Sequence, residues 1–188
     1  MFNNLYTKNN KLPSKELIDN VYFKRVTDRL ELAKKKAPIF NKIIDAKSIT
    51  INNKKIPNIL YLLDRLKSNQ KLIKILTPPS VCLIHGDLHF DNILVDKKDS
   101  SRFKLIDPRG KVYKGEFEGD YAYDLGKVWH SLNGFYDFIH EGKFNLVYDI
   151  NNETINVEFS IIPHDSLREY KRVFQNLPII IGKYEKIK

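Results

Sequence analysis

The sequence predicts an α+β fold, mainly helical. Three observations carry this: long stretches with apolar residues at helical spacing, short branched-residue runs of strand length joined by polar turns, and no linker or internal repeat dividing the chain. Pro13-Ser14 followed by KELIDNVYFKRVTDRLELAKKK reads as a helix capped by Ser14, with Leu17, Val21, Leu30 and Ala33 near one face. Its cationic tail, Lys34 to Lys36, suits a helix C-terminus, where the dipole is negative. Ser48–Ile51 and Lys54–Ile56 flank Asn52-Asn53 as a small hairpin, and Pro57 then opens a second helix that Pro78-Pro79 closes. Val81–Ile84, Ile93–Val95 and Phe103–Ile106 read as short strands, the last two joined through the polar turn 97–102. A long helix is expected from Tyr121 to Glu141, with Leu125, Val128, Trp129, Leu132, Phe135, Tyr136 and Ile139 as a core stripe. FNLVYDI and TINVEFSII around Asn151-Asn152 predict a second hairpin, and Asp165–Phe174 a last helix, all in a single domain over residues 1–188.

Composition narrows the class. At 42% hydrophobic and 12% aromatic residues, 188 residues can bury a sizeable core, so disorder is excluded for most of the chain. No run approaches the roughly 20 apolar residues of a membrane span, and the N-terminus lacks a signal-peptide apolar core, so a cytoplasmic protein with no membrane partner is expected. Cys82 is the only cysteine and sits between Val81 and Leu83, which predicts a buried, unreactive thiol. The net charge of +9 favours anionic or neutral small molecules over cationic ones. It forms no basic stripe with interleaved aromatics, so no nucleic-acid partner is expected.

The segment VCLIHGDLHFDNILVD, residues 81–96, sets His85, Asp87, His89, Asp91 and Asn92 between two apolar runs. An aspartate held at a strand end can take a proton from a hydroxyl, and an asparagine five residues later can offer its amide oxygen to a hard cation. Asp107, at the end of the next strand, can bind the same cation. A zinc site built from His85, Asp87 and His89 is disfavoured, because alternate residues in a turn converge poorly and no distant His or Cys cluster completes it.

H-G-D-L-H-F-D-N, His85 to Asn92, followed by a hairpin and I-D-P-R-G, Ile106 to Gly110, resembles the protein-kinase catalytic loop H-R-D-L-x-x-x-N and its D-F-G segment. Glycine in place of arginine resembles the small-molecule branch, the aminoglycoside phosphotransferases and choline kinases. The resemblance implies a protein-kinase-like C-lobe whose short hairpins carry a catalytic loop at 85–92 and a metal-binding segment at 106–110. It implies an ATP- and Mg2+-dependent phosphotransferase acting on a hydroxyl of a small molecule, with Asp87 as base and Asn92 and Asp107 as magnesium ligands. GDYAYDLGKVWHSLNG is similar to the helix start that follows the metal aspartate in that branch. Together with IDPRG it resembles phosphotransferase-like proteins of bacterial surface-polysaccharide clusters, which implies a sugar acceptor. Asp120 and Asp124 are expected as structural supports or helix N-terminal charges, and His85 as an organiser of the loop backbone. His89 and Asp91 can face either solvent or substrate, and Arg109 either contacts phosphate or an anionic substrate or has no role.

The resemblance spans about residues 15–175 and covers the C-lobe alone: no glycine precedes Gly86, so the glycine-containing phosphate loop of an N-lobe is missing. Three expectations remain open: a kinase fragment, an N-lobe supplied as a separate polypeptide, or a non-catalytic binding or accessory lobe.

Overall fold

The computed structural model describes residues 15–109, 117–151, 154–161 and 166–176. Ser14, Gly110, Asn152, Asp165 and the C-terminal GKYEKIK, which the sequence reading used, lie outside the described residues. The architecture is mixed α and β with one small mixed sheet. The chain sorts into two compact units, one of residues 18–77 and 143–162, the other of the remaining described residues.

The expected opening helix is present from Lys15 but is not uniform: α1 (Lys15–Ile18) passes through a π-helical stretch, Asp19–Lys24, into α2 (Arg25–Lys36). The wider turn buries Val21 and Phe23, whereas α2 buries nothing. The Lys34–Lys36 tail stands in the last turn, and Lys34 pairs with Glu31 and Asp45. A further helix, α3 (Ile39–Asp45), was not read from the sequence; Pro38 stands at its N-cap.

The hairpin β1 (Ser48–Ile51) and β2 (Lys54–Pro57) forms as expected, with Asn52 and Asn53 at φ 48° and 61°, the left-handed pair that such a two-residue turn needs. Pro57 ends β2 rather than opening a helix. Asn58 is the N-cap of α4 (Ile59–Ser68), and its amide also donates to the carbonyls of Ile43 and Ala46. The expected single second helix is two, because Asn69 leaves helical geometry and its side chain accepts from Leu72 N to cap α5 (Gln70–Leu76).

The distant hairpin β7 (Phe144–Ile150) and β8 (Ile155–Ile161) joins β1 in parallel, giving the strand order β2-β1-β8-β7. Asn52 secures that non-local pairing: its amide donates to Phe159 O at 2.8 Å and accepts from Phe159 N at 2.8 Å, as a strand residue would. Asn52→Ala is expected to cost about 2 kcal/mol, from two hydrogen bonds and a left-handed backbone that alanine tolerates poorly. An unchanged denaturation midpoint would count against this role, and Asn52→Gly should lose less.

The second unit holds the short strands β3 (Cys82–Leu83), β4 (Ile93–Val95), β5 (Phe103–Leu105) and β6 (Glu118–Gly119), followed by three helices. β4 and β5 form the expected hairpin, while β3 pairs with β6. The strands around the motif are not the buried pair that apolarity suggests: Leu83, Leu94 and Val95 are each about half exposed. The interior is supplied instead by Val81, Cys82, Ile84 and, within the loop itself, Leu88, which is 1% exposed. Burial pushes the Cys82 thiol up to about 11, as do the nearby carboxylates of Asp120, Asp124 and Glu118 against a hydrogen bond from the Tyr121 backbone, so it is an unreactive thiol at neutral pH.

The expected long helix is α6 (Tyr121–Gly134) and α7 (Tyr136–His140), broken at Phe135, which is left-handed at φ 55°. Gly134 permits the exit, since a Cβ there would stand 2.7 Å from the His130 ring. The Phe135 ring is covered by Lys171 Nζ, 4.4 Å from its centroid. Leu125 and Leu132 of α6 pack with Phe174 of α8 (Ser166–Gln175), flanked by Val128 and a stacked Trp129, while Ile139 is exposed.

Candidate active site

Helix α6 builds the site by presenting one polar stripe, Asp124, Lys127 and Ser131, three and four residues apart, beside its apolar one. Asp120 caps the helix by accepting from Ala122 N at 2.9 Å. The Asp124 side chain is fully buried, and its two oxygens accept the backbone N–H groups of His85 and Gly86, each at 2.7 Å. Both amides can point at one carboxylate because Gly86 takes φ 79°. Two turns further along, Ser131 Oγ accepts from Phe90 N at 3.2 Å. The H-G-D turn is therefore gripped from below by a helix rather than stretched between buried strands.

His85 organises backbone, as its residue type and place suggested. Its Nε2 donates to Ile106 O at 2.9 Å, while Nδ1 accepts from Asp87 N at 3.3 Å, which sets the Nε2-protonated tautomer. The segment that follows β5 is stitched to the loop at both ends, through Ile106 N to Asn92 O at 3.1 Å and Arg109 N to His85 O at 2.8 Å.

Asp87 carries two cations: Lys127 Nζ is 2.8 Å from Oδ1 and Arg109 Nη2 is 3.1 Å from Oδ2, all three side chains being at least three-quarters buried. Lys127 was missed in the sequence because a lysine in a helix reads as a solvated residue; its i+3 relation to Asp124 was the available signal. Asn92 is buried and its amide nitrogen donates to Asp87 O at 2.8 Å and faces His89 Nε2 at 3.2 Å. Both amide hydrogens are thus turned to protein. Oδ1 has no donor among the described residues, which leaves it available to a hard cation.

Asp107 is exposed and left-handed at φ 51°, a conformation aspartate tolerates better than most residues, and no described cation pairs with it. An amide oxygen and a carboxylate oxygen are each hard donors of the kind magnesium takes. Asp91 is exposed; with His89 and Asp137 it offers ligand atoms within 4.8 Å of one another. His130, near this group, is held below its ordinary pKa by burial and by Lys127, against the pull of Asp137. Among the described residues, no helix is long and apolar enough to cross a membrane.

Comparison with protein-family models, with curated proteins and with solved structures finds no match to this chain.

Proposed function

We propose that this chain is the C-lobe of a magnesium- and ATP-dependent phosphotransferase that acts on a hydroxyl of a small molecule, with a sugar as the favoured acceptor class. The observation that carries the reading is the orientation of Asn92: its amide nitrogen is committed to Asp87 O and His89, so its oxygen is offered on the same loop that holds Asp87. Asp87 orients the acceptor hydroxyl and takes its proton late, as suits a loose transition state in which alignment and charge neutralisation do most of the work. Lys127 and Arg109 hold the Asp87 carboxylate in one orientation from its two sides. Asp124 and His85 keep the turn rigid beneath it. Asn92 and Asp107 would hold the magnesium, which would supply neutralising charge to the phosphate.

Calorimetry with ATP and Mg2+ tests this reading. Nucleotide affinity is expected to fall by about tenfold or more in Asp107→Ala, and unchanged affinity would remove Asp107 from the metal site. A second reading is a non-catalytic binding or accessory lobe. Absence of nucleotide binding by the wild-type chain would support it.

A further inference from the structure

The Asn92 amide nitrogen has an acceptor for each of its hydrogens, Asp87 O at 2.8 Å and His89 Nε2 at 3.2 Å. An amide nitrogen only donates, so His89 Nε2 must present its lone pair, and the neutral ring then carries its proton on Nδ1. That nitrogen is buried and faces Asp137 Oδ1 at 3.8 Å; among the described residues neither it nor either Asp137 oxygen, both likewise buried, has a hydrogen-bond partner. The ring is fixed from a second side by Tyr136, edge-on with centroids 5.3 Å apart. Tyr136 and Asp137 both belong to α7, so the break at Phe135 is what brings them to this histidine.

We propose that His89 and Asp137 are positioning residues that hold the Asn92 amide with its nitrogen toward protein and its oxygen toward a bound divalent cation. This rests on the reading of Asn92 as a metal ligand. Asp137 favours the Nδ1-protonated ring by placing negative charge beside that nitrogen. The opposite tautomer would offer Nε2–H to Asn92, which would reward a flipped amide and aim its NH2 group at the cation. The same logic argues against a metal held by His89, Asp91 and Asp137 themselves. A metal on Nδ1 would need a proton on Nε2, set against the Asn92 NH2 group at 3.2 Å.

Two measurements on the full chain test the proposal. Long-range 15N NMR of the histidine rings should find His89 protonated on Nδ1 and His85 on Nε2, and Asp137→Leu should add the Nε2-protonated form at His89 alone. A wild-type His89 protonated on Nε2 overturns the proposal with no variant needed. In the second, Mn2+ is titrated and followed by paramagnetic broadening of loop amides, a readout that tolerates weak binding. His89→Leu should weaken Mn2+ binding about fivefold, the equivalent of one hydrogen bond, and His89→Gln, which keeps an acceptor, should recover part of it. If Asn92→Ala weakens binding but His89→Leu does not, the positioning role fails and the metal-ligand reading stands. If Asn92→Ala changes nothing, or the wild-type chain shows no broadening, both fail together. If Asp91→Asn weakens binding as much as Asn92→Ala, the cation sits on His89, Asp91 and Asp137 and the proposal is overturned.

Discussion

Asp87→Asn is expected to lower phosphate transfer from ATP by roughly a thousandfold, the scale of losing a positioned general base. The change keeps size and hydrogen-bonding shape but removes the negative charge that Lys127 and Arg109 share, at 2.8 and 3.1 Å. Two partly buried cations are then left without a counter-ion, so stability should also fall, by about 2 kcal/mol. The two effects separate experimentally. Phosphate release in the presence of Mg2+ reads the first, and thermal denaturation followed by circular dichroism reads the second. A variant that melts lower yet keeps the wild-type rate would show that Asp87 is an ion-pair residue and not a base.

Asp124→Ala should be the most damaging single change to the loop. It leaves the His85 and Gly86 N–H groups buried with no acceptor where each had one at 2.7 Å, at a cost of about 4 kcal/mol for the pair. The loss is local before it is global: hydrogen exchange at those two amides should accelerate strongly, while amides of β7 and β8 keep their protection. Asp124→Asn keeps one acceptor oxygen and should fall between. A denaturation midpoint within 1 kcal/mol of wild type, by the usual linear relation, would mean that the loop holds itself without the helix.

What the sequence made legible was local. The Asn52-Asn53 turn, the β4–β5 and β7–β8 hairpins and the final helix all announce themselves through short-range patterns of alternation and turn chemistry. The parallel pairing of β1 with β8 joins segments about a hundred residues apart and leaves no short-range trace. The break at Phe135 was hidden for a related reason: a bulky aromatic continues an apolar stripe, and neither its left-handed backbone nor the Lys171 ammonium over its ring is written in the local sequence. Apolarity also misled at Leu94 and Val95, since a branched run sets strand propensity without setting burial. In the site, Asp87, Asn92 and His85 were legible through their spacing. Lys127 and Asp137 were not, because each joins the site through the helical stretch that carries it and not through the motif.

The φ of 79° at Gly86 bears on interchangeability. The protein-kinase catalytic loop that this segment resembles has an arginine at the second position, and the two sequences look like neighbours separated by one substitution. In this chain they are not. The left-handed backbone that lets His85 and Gly86 both donate to Asp124 would cost an L-residue about 1 kcal/mol or more, and relaxing it would withdraw one amide from the carboxylate. A loop exchanged wholesale for the arginine form would therefore have to bring its own brace, so the glycine and the buried aspartate of α6 act as one structural unit.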